Sequence, residues 1–209
     1  CLEVLAEFRN PVGIVTKSHL VTRDTDLLAE LAEDGAAAVV LSITTLKPEL
    51  QRSMEPRAAT PSRRLGAIRI LADAGVPVGV NVAPVVPGLT DQELPAILRA
   101  AADAGASFAS YILLRLPHGV QGMFRDWLDQ HVPERSSKIL NRVRELRGGK
   151  LYDASFSSRG RGDGPWAEQL RSLFRVSRER LGLDHPPELS TAAFRVPTGP
   201  PDPQTDLFL

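Results

Sequence analysis

Three glycines, Gly35, Gly75 and Gly105, cut the first half of this chain into units built on one plan. Each closes a stretch whose apolar residues recur at helical spacing, and glycine is the usual residue where a helix ends in a left-handed turn. After each comes a run rich in Val, Ile and Ala: residues 39–45, 76–86 and 107–114, with a shorter run at 11–16 before the first. Residue 39–45, VVLSITT, is β-branched and apolar except for hydroxyls at its C-terminal end, as expected of a strand covered on both faces. Strands alternating with helices at this spacing specify βαβ units and a parallel sheet. A doubly wound sheet and a (β/α) barrel both satisfy the pattern. In either, ligands sit beyond the C-terminal ends of the strands.

The helix starts are also marked. Asp24 or Thr25 opens the first, with Leu27, Leu28 and Leu31 on one face. Thr60-Pro61 is a cap followed by proline at the first helical position, ahead of Leu65, Ile68 and Leu71. Thr90-Asp91-Gln92-Glu93 reads as a capping box ahead of Leu94, Ile97, Leu98 and Ala101. The stretch between Thr45 and Thr60 reads as a long polar crossing with Glu55-Pro56-Arg57 in it. After Pro117 the rhythm changes to helices at about 121–130, 136–147 and 165–181. From Glu134 to Arg180 there are twelve Lys/Arg against six Asp/Glu, so this part is basic although the whole chain is formally neutral. From residue 184 the chain is rich in proline without an apolar period, which reads as a mostly disordered tail.

Several classes are excluded. There is no GxGxxG after a strand and no GxxxxGK[ST] loop, which weakens dinucleotide and P-loop readings. No apolar run is long enough to span a membrane. Cys1 is the only cysteine, so no disulfide framework and no self-contained thiolate metal site can form here; that usage fits a cytoplasmic protein. His19, His118, His131 and His185 are scattered without helical pairing, so no metal ligand is assigned. The chain begins inside an apparent helix, and it reads as the C-terminal part of something longer.

Three stretches together resemble the radical S-adenosylmethionine (SAM) superfamily, in its spore photoproduct lyase or DNA-repair-photolyase-like branch. They are FRNPVGIVTKS at 8–18, LSITT at 41–45 with EPRAATPSRRL at 55–65, and GVPV through APVVPGLTD at 75–91. The resemblance covers residues 1–117 best and runs more weakly to Arg180. It implies a fold of class α/β: a partial (β/α)6 barrel whose C-terminal half is 1–117, a basic helical appendage at 118–183 and a Pro-rich disordered tail at 184–209. It implies SAM as cofactor beside a [4Fe–4S] cluster, a deoxyadenosyl radical as product, and DNA repair or other nucleic-acid chemistry. The cluster is held by CxxxCxxC in the family; no such motif exists here, so either the loop lies upstream in an intact protein and this chain alone is inactive, or the protein is not catalytic.

By the same resemblance, Lys17 would meet the amino-acid or ribose end of SAM, Ser42 the methionyl or ribose group, Arg57 the carboxylate and Asn81 the ribose. Glu55 would hold Arg57 or Lys17, and Arg115, with the backbone beside it, would edge the adenine. Plainer readings stand beside these: a solvated lysine, a small Ser42 between strands, a Glu55–Arg57 bridge closing a loop, an Asn81 satisfied by backbone. At the C-terminus, Gln204-Thr205-Asp206-Leu207-Phe208 resembles the sliding-clamp-binding pentapeptide, with Gln204, Leu207 and Phe208 as partner-binding residues. Two other functions therefore stay open: a non-catalytic, clamp-binding, DNA-associated module, and a phosphate-binding (β/α) barrel enzyme with Lys17 and Arg57 as anion ligands.

Overall fold

The structure is a computed structural model and describes residues 1–154 and 160–197. Helix α1 (Leu2–Glu7) leads into strand β1 (Val12–Thr16), a short 3-10 turn and α2 (Thr25–Glu33). Then follow β2 (Ala37–Ile43), α3 (Pro48–Met54), α4 (Pro61–Asp73), β3 (Val78–Val85), α5 (Leu94–Asp103) and β4 (Phe108–Leu113). Helices α6 (Val120–His131), α7 (Pro133–Glu145) and α8 (Pro165–Arg180) complete the described chain. The four strands form one parallel sheet in sequence order. This is an α/β architecture: a parallel four-stranded sheet, with further helices added after β4.

Alternation along the strands sets the two faces. Leu41, Ile43, Val80 and Val82 are fully buried against the helices, with Leu28, Leu31, Ile68, Leu71, Ile97 and Leu98 packed in the same core. Each such side chain contributes about 1.5–3 kcal/mol relative to exposure. The opposite face carries Val15 at 68% and Ile112 at 42% exposure, so it is only partly covered. Gly105 ends α5 at φ +100°, and a Cβ there would lie 2.7 Å from Cβ of Ala72. Only glycine meets both the backbone conformation and the close approach.

A second cluster closes the C-terminal end of the sheet. Val86, Leu89, Leu114 and Leu116 meet Phe124, Leu128, Ile139 and Val143 from α6 and α7. Helix α8 instead joins the main core through Ala167, Leu170 and Phe174, completing the helix layer beside α5 and β4.

Three expectations need correction. The polar crossing after Thr45 contains α3, which starts with Pro48 at its first position and packs Leu50 and Met54 (spacing i, i+4) on the second cluster. Thr90 and Glu93 do not form a capping box. The Thr90 hydroxyl accepts from the Val86 amide at 2.9 Å, and Asp91–Glu93 is a 3-10 turn that precedes α5. Residues 184–197 are not a loose tail. Asp184 bridges Phe108, the Ser190 amide donates to the Gly35 carbonyl at 3.0 Å, and the Arg195 amide donates to Phe8 at 2.8 Å. Proline removes donors and periodicity but leaves enough amides to tie an extended strap across the base of the units.

Candidate functional site

Register puts the polar residues of the less covered face in one row. Ser42 pairs with Asn81, and Asn81 pairs with Ser110, whose hydroxyl donates to Asn81 Oδ1 at 3.2 Å. Thr16 is level with Leu41, so Lys17, one residue on, falls level with Ser42. Ser42 and Asn81 are buried, and Lys17 is about one-third exposed at 35%. The sequence candidates Lys17, Ser42 and Asn81 therefore share one level of three adjacent strands.

Glu55 ties this row to the loops behind it. It caps α3 and receives the Lys17 ammonium in a direct ion pair. Its other oxygen lies 2.6 Å from the Arg64 guanidinium. The Thr44 hydroxyl sits 2.8 Å from Glu55 Oε1 and 2.8 Å from the Ala83 carbonyl, where the β3–β4 register shifts. Burial pushes the Glu55 carboxyl up, but the hydrogen bonds and charges of Lys17, Arg64 and Thr44 outweigh it and hold the group below its ordinary value. Arg64 itself is 1% exposed, and each of its three nitrogens is engaged: Nε donates to the Ala59 carbonyl at 2.7 Å, one Nη to the Ser42 carbonyl at 2.8 Å and the other to Glu55. A second carboxylate, Glu93, accepts from the Thr45 hydroxyl at 2.8 Å and the Leu46 amide at 2.8 Å. It thereby fixes the turn out of β2.

The arginine that pairs with Glu55 is thus Arg64, and Arg57 is exposed on the link between α3 and α4. Arg64 is not among the sequence candidates. Its signal was its place on the buried stripe of α4, three, four and seven residues before Ala67, Ile68 and Leu71. Arg115 is half-buried beyond β4, and its Nε is buried with no hydrogen-bond partner among the described residues. The backbone beside it is already engaged: Leu113 and Leu114 amides bond Gly160 and Val85, and the Leu114 carbonyl accepts from Arg147 at 2.7 Å. His118 is exposed at φ +45°, its ring 6.4 Å from Tyr152. Trp127 and Trp166 pack on the two cores, and Trp127 Nε1 donates to the Ser53 carbonyl at 3.0 Å. Gln204, Leu207 and Phe208 lie outside the described residues.

Residues 2–101 match the Radical SAM superfamily. An uncharacterized protein of Mycobacterium tuberculosis is 35% identical over 198 residues, covering 92% of this chain and 55% of the relative. An uncharacterized protein of Methanocaldococcus jannaschii is 27% identical over 135 residues, covering 65% of this chain and 49% of its own length. The chain spans about half the length of the relatives it matches. In fold it is similar to spore photoproduct lyase complexed with dinucleoside spore photoproduct, at TM-score 0.53 and 17% identity over 86% of this chain and 52% of that one. A mutant of that lyase with bound AdoMet and dinucleoside spore photoproduct gives a TM-score of 0.52.

The superfamily implies SAM and a [4Fe–4S] cluster. The polar row suits the first: a lysine with two N–H donors left after Glu55, and buried Ser42 and Asn81 beside it. It does not suit the second. Cys1 is the sole cysteine and is exposed, and the described residues hold no group of His, Cys, Asp and Glu able to bind a metal. No described helix is long and apolar enough to cross a membrane.

Proposed function

We propose that this chain is the SAM-holding part of a radical SAM enzyme that acts on nucleic acid, as a DNA-repair lyase does. The observation that carries the reading is the level row Lys17, Ser42, Asn81, with Lys17 steered by Glu55. In it, Lys17 meets the carboxylate or ribose end of SAM, Ser42 the methionyl or ribose oxygens, and Asn81 the ribose. Arg57, from its exposed link, reaches the carboxylate, and Arg115 supports the adenine side. Glu55, Lys17 and Arg64 together leave one net positive charge beside that carboxylate, which favours binding an anionic end group. The chain contributes no cluster ligand, so no step through iron is assigned to its residues. The nucleic-acid part of the reading draws support from the basic stretch 134–180 and from the fold shared with spore photoproduct lyase.

The reading is tested by titrating the natural full-length protein with S-adenosylhomocysteine in a calorimeter, which reads binding without turnover. A charge-assisted hydrogen bond is worth about 1.5–3 kcal/mol, so Lys17→Ala should weaken binding roughly ten- to hundredfold. Affinities of Lys17→Ala and Ser42→Ala that match the unmodified protein would remove the row from the cofactor site.

A further inference from the structure

Among the described residues, no fifth strand pairs with the outer edge of β4. The Ala109 amide donates there to Leu183 and the Leu113 amide to Gly160, so the chain before and after α8 touches the edge at two points. Between them opens a cavity of about 320 Å³. Arg161, Arg171, Arg175 and Arg178 line it over Tyr111 and Phe174, and no carboxylate does so among the described residues. Burial raises the Tyr111 hydroxyl's pKa, and the nearby charges of Arg171 and Arg161 pull the other way, so their field reaches the cavity floor. That hydroxyl and the Arg178 Nε are buried and have no hydrogen-bond partner among the described residues. The cavity also reaches Ser110, which is bonded to Asn81 in the polar row.

We infer that this edge is a phosphate track for the nucleic-acid strand that leads away from the SAM site. The inference rests on the function proposed above and names where the strand runs. Arg171, Arg175 and Arg178 are four and three residues apart, on one side of α8. From first to last they span about 10 Å of helix, the rise of about three phosphates in a B-form strand. A site for one free phosphate converges its donors on a point; here they form a row. Arg161, near the Leu113 end of β4, begins the row at the site end, and Arg178, near Leu183, ends it. The ion pairs of Arg171 with Glu168 (4.0 Å) and Arg175 with Glu179 (3.6 Å) are exposed and weak, so a phosphodiester can replace them. The Tyr111 hydroxyl supplies a neutral donor beneath the row.

The test is fluorescence anisotropy of a labelled random-sequence duplex with the natural full-length protein, repeated across salt concentrations. Losing two phosphate contacts lowers the slope of log K against log salt by about 1.8 for duplex, or about 1.4 for a single strand. The double variant Arg171→Gln, Arg175→Gln should show that drop with an unchanged melting temperature, while Arg69→Gln, exposed on α4, shows none. If the double variant folds and keeps the full slope, the track is wrong. The same holds if inorganic phosphate at low millimolar concentration displaces the duplex at constant ionic strength, which marks a small-molecule anion site. An unmodified protein that binds no duplex or single strand overturns both the track and the nucleic-acid part of the proposed function. Retained S-adenosylhomocysteine binding, lost in Lys17→Ala, would still leave the cofactor assignment standing.

Discussion

Glu55 and Arg64 form an ion pair of 2.6 Å in which the arginine is 1% exposed and the carboxylate 12%. The pair joins the end of α3 to the first turns of α4, and through the Ser42 carbonyl it reaches β2. Breaking a buried pair by removing one partner costs about 3–5 kcal/mol, because the other charge is left uncompensated. Glu55→Gln should therefore lower stability by that order in urea unfolding. The folded-state pKa of Glu55 is depressed below its ordinary 4.5, so its contribution is whole above that value and is lost as pH falls through the folded one. Unfolding curves between neutral pH and the acid limit should thus converge for Glu55→Gln and the unmodified protein. Parallel curves would mean that the carboxyl is not held down in the fold.

Glu93 makes a second, independent prediction. Its carboxylate accepts from the Thr45 hydroxyl and the Leu46 amide, and Lys47 Nζ stands 4.0 Å off. Glu93→Ala strands an amide in a half-buried turn, at a cost of about 1–3 kcal/mol. Glu93→Gln keeps one acceptor oxygen and should recover most of the loss in a thermal melt. Equal losses in both variants would point to charge rather than to the hydrogen bonds.

Two glycines should respond with opposite signs. Gly105→Ala forces a side chain to φ +100° and onto Ala72, so stability should fall by about 1–3 kcal/mol. Gly66 lies inside α4 with open space around a would-be Cβ, and alanine there should raise stability by about 0.5–1 kcal/mol. Chemical denaturation of both variants reads the contrast directly.

Much of the sheet was legible because helix stops and strand runs are local signals. Gly35, Gly75 and Gly105 all have positive φ, and all four expected strands are present within a few residues of the expected bounds. What escaped reading depends on contacts far apart in sequence. Glu93 had the spacing of a capping residue, but the Thr45 turn, 48 positions back, offered its carboxylate two donors. Arg64 stands beside Arg63 and carries no mark in sequence of its partners, the Ser42 carbonyl and Glu55, which lie 22 and 9 positions back. The strap 184–197 has no period of its own, since its order comes from Gly35 and Phe8. In the site, spacing alone could set Lys17 and Ser42 at strand ends, whereas their common level follows from β-register.

The C-terminal QTDLF supports a final prediction. We propose that it binds a bacterial sliding clamp, with Leu207 and Phe208 entering an apolar groove and Gln204 bonding its rim. Two adjacent apolar side chains can carry most of such a contact, each worth about 2 kcal/mol or more as a hot spot. Together that is a loss of roughly a thousandfold for Leu207→Ala with Phe208→Ala. A pull-down with purified clamp should then fail for the double variant, while S-adenosylhomocysteine binding stays intact because the row Lys17, Ser42, Asn81 is untouched. Clamp capture that persists in the double variant would discard the motif. Capture that vanishes only when Lys17 is also changed would move the contact to the barrel itself.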